Sequence, residues 1–114
     1  MNDLFELKDS VLTVYLPQDL DHPQSDLIRK ETDRIMSRIY VKKIIFDFKN
    51  TEFMDSSGIG LIMGRYRALG MGQKCIMAVN ADEHINKLLH LSGVYRYMEI
   101  QKNGEEGGNY GKCE

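Results

Sequence analysis

No run of residues approaches the roughly 18 uncharged apolar positions that a membrane-spanning helix needs, so no spanning segment is expected in these 114 residues. Cysteine is scarce too. Cys75 lies in the apolar run KCIMAV and Cys113 stands next to last, and such a pair makes neither a disulfide framework nor a metal site. A reducing cytoplasm is the simplest compartment for that usage. Excess positive charge is also missing: 15 Lys and Arg stand against 17 Asp and Glu, a formal charge of −2. The only adjacent basic pairs are Arg29-Lys30 and Lys42-Lys43, so no nucleic-acid partner is expected. The opening MNDLFELKDS carries acids where a signal peptide needs a basic and then an apolar stretch. The expectation is a cytoplasmic protein with no membrane partner, long enough for one domain with a core of its own.

What is present is an alternation of strand and helix patterns. FELKDSVLTVYL alternates on both sides of Asp9-Ser10 and reads as a hairpin of two short strands. QDLDHPQ breaks that pattern. Pro23 suits the first turn of a helix, with Asp21 or His22 just before it. Leu27, Ile28, Ile35, Met36 and Ile39 then supply an apolar helical face. KKIIFDF and KCIMAV read as buried strands, and between them Phe53-Met54 returns the chain toward the sheet. Asn80 stands three residues before Glu83, close to a capping box, and Ile85, Leu88, Leu89 and Leu91 give a third helix its apolar side. Gly93 fits the stop of that helix, and YRYMEIQ reads as a final strand. The order β-β-α-β-α-β-α-β implies a single α/β domain. Its sheet is mainly parallel, with an antiparallel edge from the hairpin and three or more helices. Residues 103–114, NGEEGGNYGKCE, are glycine-rich and polar and are expected to form a disordered tail.

The second helical stretch, MDSSGIGLIMGRYR, is the unusual one. It carries Gly58, Gly60 and Gly64, each costing roughly 1 kcal/mol against alanine inside a helix. At 100° per residue, Ile59, Ile62, Tyr66 and Leu69 cluster as a core face with Met63 at its edge. Gly60, Gly64 and Ala68 fall opposite, with Leu61 beside them, so that side lacks bulk. Either a neighbouring helix of the same domain packs there or a partner protein docks there. On geometry alone the internal reading is preferred. Arg65 and Arg67 lie near one rim and read as exposed charges, for solvation or partner contact. Ser56 and Ser57 stand at the helix start, where unpaired N–H groups and the positive end of the dipole point outward. One serves as an N-cap on the simplest reading. The other is free to accept a phosphoryl group, which would meet a favourable dipole. Sequence physics does not choose between them.

FMDSSGIGLIMGRYRALG after the KIIFDF strand resembles the phosphorylation-site region of the anti-sigma factor antagonists, which carry the STAS fold. The likeness extends over most of the chain: the hairpin followed by DLDH, the strand followed by DSSG, and HLSGV before the last strand stand in the family's order. It runs especially to the sporulation branch, whose member releases sigma F from its anti-sigma kinase. General-stress circuits use the same motif. The resemblance implies a STAS-like domain over residues 1–102 and a role as a switch component, not an enzyme. It implies no cofactor and a monomer. It marks Ser56, the first serine of DSSG, as the phosphorylated residue. Asp21 matches an acidic loop residue that contacts the kinase, although Gln18-Asp19-Leu20-Asp21 after Pro17 departs from the Gly-Glu or Gly-Asp then Leu-Asp of many members. The partner-binding residues expected on this reading are Asp21, His22, Asp55, Ser57 and Gly58, continued along the helix by Gly60, Leu61, Gly64 and Arg65. The partners implied are an ATP- or ADP-bound anti-sigma factor serine kinase and a metal-dependent serine phosphatase.

Two other classes compete. A serine nucleophile at Ser56 or Ser57 needs a base, and only His22, His84 and His90 are available. His22 could approach from its loop, but no G-x-S-x-G elbow is present. Nucleotide binding by Gly58, Gly60 and Gly64 would use a pattern one residue longer than the dinucleotide fingerprint, with Met63 where glycine should stand. His84 and His90, six apart, do not share a helical face, so no metal site is expected.

Overall fold

The computed structural model describes residues 3–101. The expected tail over 103–114, with Cys113, lies outside the described residues. In chain order the elements are β1 (Phe5–Lys8), β2 (Val11–Tyr15), β3 (Asp19–Leu20), α1 (His22–Met36), β4 (Lys43–Asp47), β5 (Phe53–Met54) and α2 (Ser56–Ala68). Then follow β6 (Ile76–Val79), α3 (Glu83–Leu91), a 3-10 turn (Val94–Tyr97) and β7 (Glu99–Ile100). None of the described helices is long and apolar enough to cross a membrane.

The hairpin forms where the alternation breaks. Asp9 and Ser10 both take positive φ, 54° and 65°, the geometry of a two-residue turn whose twist matches the flanking strands. Phe5 lies opposite Val14 and Lys8 opposite Val11 in the antiparallel β1–β2 ladder. The remaining pairings of the five-stranded sheet are parallel, in the order β1-β2-β4-β6-β7. This is the expected mainly parallel sheet with an antiparallel edge. Leu12, Val14, Ile44, Phe46, Ile76 and Ala78 enter the main core with Ile28 and Ile35 of α1, Ile62 of α2, and Ile85 and Leu89 of α3. Alternate positions, Ile45, Met77 and Val79, form a smaller cluster with Val11, as the period of two requires. Cys75 is buried just before β6, and burial pushes its thiol pKa up.

Several local expectations differ from the structure. Leu27 and Ile39 are exposed (60% and 42%), and Ser25 and Thr32 take inner positions of α1 with Ile28 and Ile35. The spacing 25, 28, 32, 35 is a single helical row. Leu27 sits about 100° off it, and Ile39 lies past the helix end at Met36. Asp82, not Asn80, caps α3: its Oδ1 accepts from the Ile85 N–H at 2.8 Å. Asn80 takes φ 60° and donates from Nδ2 to Asp47 Oδ1 at 3.0 Å. Gly93, at φ 83°, does follow the end of α3. Beyond it the chain turns back in the 3-10 turn, where Tyr97 meets Tyr66 at 5.3 Å between ring centroids, so only Glu99–Ile100 joins the sheet. The last helical residue of α2 is Ala68. Gly70 takes φ 86°, and the Met71 N–H reaches back to the Tyr66 carbonyl at 3.0 Å, closing a Schellman motif.

The largest departure is in α2. Its fully buried row is Gly58, Leu61, Ile62 and Arg65. Ile59, Met63, Tyr66 and Leu69 are half-buried against the same core. The helix is covered on two sides, by the sheet and by α1, and α1 covers the side that holds Leu61 and Arg65. Arg65 is therefore not an exposed charge. Its side chain is 6% accessible, and Nη1 donates to Asp33 Oδ1 at 2.6 Å and to Thr32 Oγ1 at 3.1 Å across the α1–α2 seam. A buried guanidinium without partners would be costly, so these two residues of α1 determine whether it can lie there. Arg65→Ala is expected to lower the unfolding free energy by about 2–3 kcal/mol, since it vacates packed volume and removes charge-assisted bonds. Arg65→Met, which retains most of the volume, should cost clearly less; urea denaturation of both variants measures the difference.

Candidate functional site

Two short strands place the site. Asp19 and Leu20 pair in parallel with Phe53 and Met54, in a two-stranded sheet separate from the main one. Phe53-Met54 thus returns the chain to Asp19-Leu20 and not to the large sheet. The pair is held at its start by Gln18, whose carbonyl accepts from Glu52 and Phe53 N–H groups at 2.9 and 3.1 Å, and by Thr51 Oγ1, which donates to the Pro17 carbonyl at 2.8 Å. Leu20 and Met54 are buried and serve as anchors.

Because Leu20 and Met54 are in register, the residues that follow them start two helices side by side. Asp21 caps α1, with Oδ1 accepting from Gln24 N–H at 3.1 Å. Asp55 caps α2, with Oδ1 accepting from Ser57 N–H at 2.8 Å. Neither serine is the cap. The anion seat at the start of α2 is held by the Asp55 carboxylate, so a phosphoryl group on Ser56 would share the dipole with an existing negative charge.

The serines differ in surroundings. Ser56 is the first helical residue and is exposed, and its hydroxyl has no hydrogen bond among the described residues. Ser57 is half-buried, and its Oγ lies 3.2 Å from His22 Nδ1, across from α1. His22 and Ser57 border an open cleft of about 290 Å³ whose wall continues through Ser25, Arg29, Gly60 and Leu61. Arg29 bridges to Asp26 at 2.7 Å, and Arg29 followed by Lys30 holds the Asp26 carboxyl below its usual range.

The three glycines do different work. A Cβ on Gly58 would stand 2.5 Å from Met54 Cγ and 2.8 Å from its Sδ, so Gly58 lets the first turn of α2 close onto β5. Gly58 is internal packing. A Cβ on Gly60 or Gly64 would meet nothing within 4 Å among the described residues. No part of the described domain packs on those two, against the internal reading preferred on geometry alone. Gly58 and Gly60 also lie inside α2, whereas a dinucleotide fingerprint needs its first glycine in the turn before the helix.

The expected partner-binding residues therefore divide. Asp21, His22, Asp55, Ser57 and Gly60 gather at the paired helix starts, and Gly64 extends the bare strip one turn on. Leu61, 4% exposed, and Arg65 are buried beneath that surface and Gly58 under its edge, because α1 and β5 cover them. The pairing of β3 with β5 was missed, as were Thr32 and Asp33 as partners of Arg65. The repeated pattern of an apolar residue, Asp and a helix start, in LDHP and MDSS, is the one signal that could have found the former. Away from the site, His90 Nδ1 donates to the Asn86 carbonyl at 2.9 Å and its ring stacks on Tyr95. No cluster of three His, Cys, Asp or Glu suited to a metal occurs among the described residues.

Fold and site together define a small α/β domain that displays a serine at a helix start beside an open cleft. Residues 5–107 match the STAS domain, and the chain belongs to the STAS domain family. Within it, the chain is similar to the anti-sigma F factor antagonist of Paenibacillus polymyxa, 39% identical over 95 residues that span 82% of this chain and 80% of the relative. The solved structure of the anti-sigma factor antagonist SpoIIAA in its unphosphorylated form superposes with a TM-score of 0.76 at 27% identity, over 96% of this chain and 97% of that one. That of the Bacillus cell fate determinant SpoIIAA in the phosphorylated form gives 0.67 at 27% identity, over 96% and 99%.

Opposite responses are expected along the one helix. Gly60→Ala and Gly64→Ala should each raise stability by about 0.5–1 kcal/mol, because an open helical position gains propensity. Gly58→Ala should lower it by about 1–2 kcal/mol through overpacking against Met54. Thermal melts of the three variants check the contrast.

Proposed function

We propose that this protein is an anti-sigma factor antagonist whose affinity for its partner is set by phosphorylation of Ser56. The observation that carries the reading is the placement of Ser56. Its exposed hydroxyl stands at the first position of α2, and Gly60 and Gly64 leave the adjoining strip open to another backbone. The similarity to anti-sigma factor antagonists supports the same reading.

In the proposed cycle the unphosphorylated protein, a cytoplasmic monomer, binds an anti-sigma factor that is also a serine kinase and carries ATP or ADP. Binding displaces the sigma factor. Asp21, His22, Asp55, Ser57, Gly60 and Gly64 form the contact surface. Gly58, Leu61 and Arg65 support it from below. In the kinase reaction the Ser56 Oγ forms a bond to the γ-phosphorus of ATP, its proton passes to a base of the kinase, and the bond to ADP breaks. The new phosphoryl group adds about −1.5 to −2 charge beside the Asp55 carboxylate, which already occupies the helix start. Pressing that charge into a close interface costs desolvation and repulsion together. A loss of about 1–3 kcal/mol, or roughly 5–150-fold in affinity, suffices for a switch. A metal-dependent serine phosphatase restores the hydroxyl.

One observation favours a second reading. The 3.2 Å approach of His22 Nδ1 to Ser57 Oγ is the geometry of a nucleophile and its base. Labelling of Ser57 by a serine-directed phosphonate would support a hydrolase; an unlabelled chain excludes it.

Ser56→Ala should bind the anti-sigma kinase and stay bound in the presence of ATP, whereas Ser56→Asp should bind at least about fivefold more weakly. Gly64→Leu should remain folded and lose binding. Pull-downs with the purified kinase measure all three, and equal retention of Ser56→Ala and Ser56→Asp would contradict the switch.

A further inference from the structure

Ser56 and Ser57 are the same residue type, adjacent, at the first two positions of one helix. A kinase that meets them needs a physical reason to modify one. The structure supplies an asymmetry that comes from a different element. Ser56 Oγ is unengaged among the described residues. Ser57 is restrained twice: its N–H is held by Asp55 Oδ1 at 2.8 Å, and its hydroxyl by His22 Nδ1 at 3.2 Å. The second restraint ties the Ser57 side chain to α1 across the cleft that Gly60 also lines, whereas Ser56 lies outside that cleft.

The placement of His22 follows from the paired strands. Asp21 and Asp55 follow the register pair Leu20 and Met54, so His22 begins α1 beside the first turn of α2. Pro23 then fixes the backbone that carries it. In one tautomer His22 Nδ1–H donates to Ser57 Oγ. In the other, the Ser57 hydroxyl donates to Nδ1, and its proton is directed at His22 and not toward a base on the kinase. Both arrangements engage the Ser57 oxygen with His22, whereas the Ser56 oxygen stays unengaged among the described residues.

We infer that His22 determines the phosphoacceptor: by bonding Ser57 it masks a second modification site and leaves Ser56 as the hydroxyl that an ATP-dependent serine kinase can reach. The inference rests on the phosphoacceptor reading of Ser56. His22 is a positioning residue in this scheme and takes no part in the transfer. If the bond is lost, Ser57 Oγ can rotate outward and accept the γ-phosphoryl group in the same way, forming its bond to phosphorus as the bond to ADP breaks and its proton passes to the kinase base.

The test is phosphosite mapping by mass spectrometry after incubation of the full chain with ATP and an anti-sigma serine kinase. The wild type should carry phosphate on Ser56 alone. Ser56→Ala should carry none. The double variant Ser56→Ala with His22→Ala should gain phosphate on Ser57, at least tenfold above Ser56→Ala. His22→Asn on the Ser56→Ala background should restore the mask, because an amide nitrogen or oxygen can stand near the position of Nδ1. A structural effect of losing His22 would not be expected to produce a new modified residue and then reverse it with asparagine. A wild type modified on Ser56, with the His22→Ala double variant unmodified on Ser57, overturns this inference and leaves the phosphoacceptor reading intact. Equal modification of Ser57 with and without His22 does the same. A wild type modified at neither serine overturns both.

Discussion

Four residues in two parallel strands hold the site together. Leu20 and Met54 are buried and in register, and each is followed by an aspartate that starts a helix. The ladder itself is too short to be stable alone. It persists because its anchors belong to the main core and because Thr51 and Gln18 tie the loops around it. The result is two helix starts at one end of the domain, both capped by carboxylates. Every functional feature of the surface follows from that adjacency: the exposure of Ser56, the approach of His22 to Ser57, and the cleft between α1 and α2.

Behind the site, the α1–α2 seam determines which part of α2 stays open. Leu61 and Arg65 turn inward onto α1, and the guanidinium finds Thr32 and Asp33 there. Gly58 closes onto Met54. With these positions buried, Gly60 is exposed and Gly64 half-buried, and a Cβ on either would meet nothing within 4 Å among the described residues. Helix propensity is sacrificed at two positions where no described part of the fold needs a glycine. On the proposed function, the stability lost there is explained by the close approach of a partner. Gly58, by contrast, is explained by the fold alone.

On the proposed phosphorylation of Ser56, the charge at the start of α2 would act by repulsion. A helix start is commonly a seat for anions, but here Asp55 already fills it. Added phosphate would enlarge a negative cluster. Gly60 and Gly64 themselves offer no side chain to a docking backbone, and the charged Asp26 and Arg29 beside Gly60 pair with each other. The same site would change sharply in electrostatics on modification while the core beneath it stayed as it was.

Much of this protein could be read from the chain. The order of the main strands and helices, the hairpin at Asp9-Ser10, the stop at Gly93, and the DSSG helix start all depend on residues a few positions apart. Local patterns carry such features because turn dihedrals, caps and periodicity are short-range constraints. The inner faces of α1 and α2 were another matter. Ser25 and Thr32 lie inside while Leu27 lies outside, and Arg65 is buried, because the covering surface comes from a helix about thirty residues away. Nor did the sequence distinguish Gly58 from Gly60 and Gly64, or Ser56 from Ser57 on physical grounds. Those differences arise only when Met54 and His22 are brought alongside by the β3–β5 pairing. By itself the sequence determined where the main strands and helices form and where the DSSG helix begins. Tertiary structure alone decided which side of each helix is covered, since that depends on atoms distant in the chain that composition and spacing do not place.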